Sequence, residues 1–307
     1  MSEYTTDAPI PAEGAAAGSG GVPEPDGYTP SAVRLDRERY RRGRRRRDAL
    51  IAAGCAVALV VLLCVAVVSS PGWGNVHALF LDGAEFRRYF GAILHGFWLN
   101  VQMFLVSEVC ILVLGLVIAL VRVTRAPGLA PLRWAAMLYV DVFRGVPTLL
   151  LVFLVGFGLP ALQLQGTPSS PVVLGCMALV LSYTAYVGEV FRAGLNSVHP
   201  AQRNAAKALG LSEAQTLRHV ILPQAVRNVV PPLLNDFISL QKDTSLVATL
   251  GVVEALRVAQ INSNYDFNYT PYLAAALLFI AVTIPMTRYA DRLQRKATER
   301  QWAEAGR

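Results

Sequence analysis

Residues Ala49–Val68 form a run of twenty apolar or small residues without a single charge. At 1.5 Å per residue a helix of that length matches the roughly 30 Å hydrocarbon layer of a bilayer. The run stops at Ser69-Ser70-Pro71-Gly72, a helix-ending tetrad. Further apolar stretches follow at Gly96–Val121, Leu132–Leu159, Val172–Val190 and Pro271–Pro285, the first interrupted by Asn100, Gln102, Ser107 and Glu108. Val229–Val253 is ambiguous by hydropathy, because Pro231, Pro232, Asp236, Lys242 and Asp243 lie within it. Composition agrees with lipid as the solvent. Only 16% of the 307 residues are charged and 54% are apolar, where soluble domains carry roughly 25% charge.

Charge then sets the topology. The net charge of +7 might point to nucleic acid, but nine arginines between Arg34 and Arg47, opposed by Asp36 and Glu38, account for all of it. What is left balances, so there is a basic collar and no basic domain; nucleic acid is not an expected partner. Arg122, Arg125 and Arg133 fall in one connection. Arg192, Arg203, Lys207, Arg218 and Arg227 fall in or beside another, and Arg288, Arg292, Arg295, Lys296, Arg300 and Arg307 in the tail. The positive-inside rule puts these segments and the collar in the cytoplasm. An even number of spans must then separate residues 192–227 from the tail, so Val229–Val253 crosses too. The expectation is an all-α polytopic membrane protein with six transmembrane helices and both termini cytoplasmic. The collar anchors the first helix to the anionic inner leaflet, so membrane lipid is itself a partner.

Five segments follow: a disordered acidic tail (1–33), the Arg-rich cytoplasmic collar (34–48), an extra N-terminal transmembrane helix (49–70), the main helical domain (91–290) and a cytoplasmic C-terminal tail (291–307). The tail holds Glu3, Asp7, Glu13, Glu24 and Asp26 and no basic residue, too little apolar surface to offset its ordering entropy. Its length before the apolar run favours a retained helix over a cleaved signal peptide. Cys55, Cys64, Cys110 and Cys176 sit in apolar stretches with no CxxC pair, and the four histidines share no ligand spacing. No metal site is expected.

The most informative segment is His199–Pro223. Pro200 suits a first helical position, Ala201–Leu209 reads as a short helix, and Gly210 as its C-cap. Ser212 with Gln215 reads as a capping box for a second helix ended by Pro223. Two short helices at a glycine hinge suggest a docking surface; an amphipathic hairpin lying on the membrane is the competing reading.

Asn204-Ala205-Ala206, Gly210, Val220 and Leu222-Pro223 resemble the EAA loop of membrane subunits of binding-protein-dependent ABC importers. Ala185-Tyr186, Glu189, Arg192-Ala193-Gly194, Gln202, Pro223-Gln224-Ala225, Pro232 and Lys242-Asp243-Thr244-Ser245-Leu246 look like the polar amino-acid branch, of the His/Gln/Glu permease kind. Phe143-Arg144-Gly145-Val146-Pro147 matches that branch as well. The resemblance covers residues 91–290 and implies a five-helix permease core plus the extra N-terminal helix, in a bacterial cytoplasmic membrane. It implies ABC ATPase subunits, an extracytoplasmic solute-binding protein and a second permease copy or related permease as partners. Gln202, Asn204, Ala205, Ala206, Gly210, Leu222 and Pro223 would form the ATPase-coupling loop. The family usually has Glu where Asn204 stands and Gly where Ala201 stands, so one charge that could pair with the ATPase is missing. No Walker A motif occurs in the sequence. The chain is therefore expected to be a transporter subunit without catalytic residues or a cofactor of its own, ATP and Mg being held by the partner. A secondary transporter of polar solutes and an ABC permease for another solute are the alternatives.

Ionisable residues at bilayer depth cost about 2.5–3.5 kcal/mol each and normally face protein or water. Arg144, Glu189, Lys242 and Asp243, with Thr244 and Ser245, are the candidate translocation path; Asp141 and Glu108 are weaker candidates. The alternative is that these charges pair among themselves across helices. Pro231-Pro232 is expected to break span five.

Overall fold

The computed structural model describes residues 32–124 and 126–305. The expected acidic tail, except its last two residues, and most collar side chains lie outside the described residues. Every regular element among the described residues is a helix. The chain divides into two compact units, Met1–Trp73 and Gly74–Arg307. In the first unit, α1 (Ala32–Val68) carries the collar and the apolar run in one continuous helix of 37 residues. Its Ala49–Val68 part is apolar on all sides, as a lipid-embedded helix must be.

The second unit takes in all but the first residue of α2 (Trp73–Phe80), followed by α3 (Gly83–Val123). Asp82 caps α3 by accepting the Ala84 and Glu85 N–H groups at 2.8 and 3.3 Å. Next come α4 (Ala130–Gly145), α5 (Thr148–Phe153) and α6 (Leu159–Ala161), the last two joined by a wide helical turn over Leu154–Gly158. Then follow α7 (Pro171–Asn196), α8 (Pro200–Ala208), α9 (Glu213–Thr216), α10 (Leu222–Asp243), α11 (Ala255–Asp266) and α12 (Thr270–Ala305). The packed centre is the seam of α3 and α7, where Met103, Phe104 and Ile111 meet Leu174, Leu179 and Val187, closed by Leu240 and Val247.

Among the described residues, four stretches are long and apolar enough to cross a bilayer: Arg47–Val68, Trp73–Val123, Pro171–Asn196 and Thr270–Lys296. Two more qualify only as bent pairs, Pro127–Gly145 with Thr148–Ala161 at 106° and Ala214–Leu250 with Ala255–Asp266 at 51°. The sharper bend corrects the expectation of an uninterrupted span at Leu132–Leu159. Its cause is local: Pro147 pushes Val146 into an extended conformation (φ −94°, ψ 128°) and supplies no N–H. Side chains from α7 repair the break. Tyr186 donates to the Arg144 carbonyl at 3.2 Å, and the Thr148 and Ser182 hydroxyls meet at 3.1 Å.

Span five departs from expectation in the opposite sense. Pro231 and Pro232 lie inside α10 and do not break it. α10 packs tightly on α7 there, with Val229 set against Gly194. The break comes later, at the tight turn Thr244–Leu250 and the left-handed Gly251.

A buried polar knot closes that second break. The Asn100 side chain accepts the Ala255 N–H at 3.1 Å and donates to the Thr244 hydroxyl at 3.2 Å. Thr244 donates to the Gln241 carbonyl at 2.8 Å, and the Gln241 side chain accepts from Thr283 at 3.1 Å. Glu254, fully buried, caps α11 by accepting the Leu256 and Arg257 N–H groups at 3.0 and 2.9 Å. One turn from Asn100, Gly96 allows this close approach: a Cβ there would lie 2.8 Å from the Ala255 nitrogen and the Glu254 carbonyl carbon. Since backbone cannot yield as a flexible side chain does, Gly96→Val is expected to destabilise the fold by about 1–3 kcal/mol. Thermal unfolding in detergent checks this, with Gly128→Ala, which meets open space, expected to melt like the wild type.

Candidate functional site

The segment between α7 and α10 is built from local chemistry. His199 caps α8 through Nδ1, which accepts the Ala201 N–H at 3.1 Å, and Pro200 occupies the first turn. At the other end Gly210 takes φ +81°. Its N–H reaches the Lys207 carbonyl at 2.9 Å, and the Leu211 N–H reaches the Ala206 carbonyl at 3.1 Å. This pair of bonds is a Schellman closure, which satisfies the last carbonyls of a helix through a left-handed residue. Ser212 and Gln215 then form a reciprocal box: the Ser212 N–H donates to Gln215 Oε1 at 2.9 Å, and the Gln215 N–H to Ser212 Oγ at 3.3 Å.

One expectation fails in this loop. Pro223 does not end the second helix. Chain continuity is kept by a wide turn over Leu217–Ile221, in which the Leu222 N–H reaches the Leu217 carbonyl, and Pro223 falls in the first turn of α10. A proline there forgoes an N–H that the widened turn leaves free. The result is one helical rod from the Ser212 box to Asp243. Of the loop residues singled out from sequence, Gln202, Asn204, Ala205 and Gly210 are exposed, Leu222 and Pro223 are exposed at the start of α10, and Ala206 is buried where α8 packs on α9 and the wide turn.

The intramembrane residues fall into two groups. Glu189 belongs to an ion-pair triad: it accepts from Arg122 Nη1 at 2.6 Å and from Arg192, through Nε at 3.0 Å and through Nη2. Arg122 comes from the last turn of α3 and Arg192 from the next turn of α7, so the triad ties those two helices together beside the loop. The second group lies along α7 and α10. Asp243 accepts the Tyr183 hydroxyl at 2.8 Å. The Tyr183 ring centroid lies 6.2 Å from that of Tyr186, and the Arg144 guanidinium lies 5.6 Å from the Tyr186 centroid. A cation and a carboxylate are thus linked by two tyrosines, with Asp236 in the electrostatic field of Arg144 and Glu108 in that of Asp236. Lys242 is exposed, its carbonyl holds the Ser245 hydroxyl at 2.8 Å, and Thr244 turns away into the Asn100 knot. Asp141 is exposed.

Sequence reasoning overlooked Tyr183, Asp236 and Arg122 as members of these clusters. The polar run Ser182–Tyr186 inside an apolar span was the available signal for the tyrosine. Among the described residues no group of three or more His, Cys, Asp or Glu side chains could hold a metal ion.

Residues 111–299 match the family described as "Binding-protein-dependent transport system inner membrane component". The chain is 33% identical over 205 residues to the "Arginine transport system permease protein ArtQ" of Bacillus subtilis (strain 168), covering 66% of this chain and 91% of that protein. It is 38% identical over 182 residues to the "Probable amino-acid permease protein YxeN" of the same organism, covering 59% and 80%. Among solved structures it resembles one described as "Crystal structure of an amino acid ABC transporter with histidines", with 28% identity, a TM-score of 0.63 and coverage of 70% of this chain and 98% of that one. The methionine transporter MetNI, at 22% identity and a TM-score of 0.52, shares the fold. The relatives are named as permeases, which are transport components rather than enzymes. With more than half of its length matched, the chain belongs to the family of binding-protein-dependent transport system inner membrane components.

Proposed function

We propose that the chain is the permease subunit of an ATP-driven importer of a polar amino acid. The observation that carries this reading is the continuous helical rod from the Ser212 capping box to Asp243. One end of the rod is fixed to the exposed loop helix α8 by the Gly210 turn; the other ends among Lys242, Asp243 and Tyr183. At 1.5 Å per residue the rod is about 45 Å long. A tilt imposed on α8 is therefore delivered to the polar residues at its far end, as a packed, two-position element requires.

In this reading the six spans are the four stretches that qualify singly and the two bent pairs, five of them a permease core and α1 an extra N-terminal helix. Both termini and the α8 loop face the cytoplasm. A separate ATPase binds ATP and Mg and docks on the loop at Gln202, Asn204, Ala205, Ala206, Gly210, Leu222 and Pro223. A solute-binding protein delivers substrate on the opposite side, and a second permease copy or related permease completes the pore. The Arg144–Tyr186–Tyr183–Asp243 chain suits a zwitterion, offering a cation to its carboxylate and a carboxylate to its ammonium. Lys242 and Ser245 extend that path. Glu189 holds the α3 and α7 ends rigid beside the loop.

Two variants test the two ends of the rod. Gly210→Pro demands φ near −65° where the chain needs +81°, so it is expected to abolish amino-acid uptake while membrane insertion persists. Uptake at the wild-type rate would remove the coupling role of the turn. Lys242→Met is expected to lower the initial uptake rate at least ~10-fold at equal expression, the usual scale for losing a charged contact to substrate. Normal transport by that variant would make Lys242 a structural residue only.

A further inference from the structure

A groove runs along the α3–α7 seam. Its walls are one face of α3 from Leu99 to Leu114 and one face of α7 from Val172 to Leu181, and it encloses about 570 Å³. Leu99 and Leu114 are fifteen residues apart, about 22 Å along the helix. The mean cross-section is therefore about 26 Å², a slot about 5 Å across. That is little more than the van der Waals thickness of one hydrocarbon chain, about 4 Å. The groove opens on the exposed side chains of Val106, Leu114 and Val173. Gln102 stands exposed at its rim, and its amide has no hydrogen-bond partner among the described residues. Below it the polar lining is slight. Ser107 is wholly buried, and the thiols of Cys110 and Cys176 hydrogen-bond only weakly.

Depth identifies the occupant. Arg122, in the last turn of α3, follows Gln102 by twenty residues, about 30 Å of helix, which is the thickness of the hydrocarbon layer. With Arg122 at one boundary of that layer, Gln102 stands at the other, at the level of lipid ester groups. We propose that the groove binds one diacyl phospholipid of the leaflet remote from Arg122. One acyl chain lies in the slot, and an ester carbonyl accepts a hydrogen bond from Gln102 Nε2. The polarity of the groove matches that of the lipid: a single accessible amide at the rim, then an apolar channel longer than the roughly 15 Å depth of one leaflet. An amide left without an acceptor at the edge of hydrocarbon is costly, and the carbonyl removes that cost. A second copy of the chain is a poorer occupant. An α-helix with its side chains is 10–12 Å across, so it closes the slot only as a lid and leaves the lining without contacts below. The site depends on α3 crossing the bilayer and not on the ATPase contact.

The test uses the full-length chain, purified in detergent and stripped of lipid. It then receives equal amounts of dioleoyl phosphatidylcholine and its diether analogue, which lacks the carbonyls. Native mass spectrometry counts the lipids retained per chain. The wild type is expected to retain a single lipid and to prefer the diester at least ~3-fold, the scale of one neutral hydrogen bond. Gln102→Leu is expected to retain a lipid and lose the preference. Val106→Phe with Val173→Phe puts two rings in the slot at positions already 61% and 44% exposed, where the fold accommodates them. That pair is expected to lower retention at least ~10-fold. No lipid on the wild type, equal retention of the two lipids, a preference that survives Gln102→Leu, or unchanged retention by the ring-bearing pair would each overturn the proposal. So would a stripped wild type that is dimeric and a ring-bearing pair that is monomeric, because the groove would then be a contact with a second copy.

Discussion

In hydrocarbon, every N–H and C=O freed by a break in a helix must find a partner within the protein. Asn100 answers that demand where the fifth apolar stretch ends. Its amide serves both sides of the break at once, taking the Ala255 N–H and giving a hydrogen to Thr244. Thr244 and Gln241 extend the knot to Thr283 of α12. The Ala255 N–H and the Gln241 carbonyl beside the break are both partnered by side chains of this knot. The same logic governs the sharper bend at Val146–Pro147, where the Tyr186 hydroxyl of α7 partners the Arg144 carbonyl and the Ser182 hydroxyl ties the Thr148 side chain to α7. The first break is tied to α7 and the second follows α10, the two helices that also carry Tyr183, Tyr186 and Asp243.

Between those breaks the helix is continuous. α10 passes through two prolines without bending apart, and the widened turn before Pro223 joins it to the Ser212 box. The Glu189 triad clamps the ends of α3 and α7 beside the loop. The proposed coupling role asks the loop, this rod and the polar cluster at its far end to move together. The chain's family, transport system inner membrane components, gives that proposal its setting.

What could be read in the sequence was what local chemistry decides. The Gly210 turn, the Pro200 start and the Ser212–Gln215 box depend on neighbours two to five residues apart, and each stands where the pattern put it. The apolar runs were equally legible, because their length alone answers to the bilayer. Partners distant in sequence were not. Nothing near Glu189 announces Arg122, 67 residues earlier. Nothing near Asn100 announces Thr244, 144 residues on. Proline was misjudged in both directions: Pro231 and Pro232 were expected to break a helix that tertiary packing holds, while Pro147 lay inside a stretch read as straight. In each case the outcome turned on whether a neighbouring helix could hold or repair the backbone, which a one-dimensional pattern does not contain.

The central claim is that this chain moves an amino acid only when a separate ATPase drives its loop. The most direct measurement is uptake of radiolabelled polar amino acids into proteoliposomes holding the chain with its ATPase, with the binding protein supplied on the opposite side from the loop. The account predicts accumulation that requires ATP on the loop side and ceases when the ATPase is omitted. Accumulation by the chain without the ATPase, driven by a proton or sodium gradient, would contradict it.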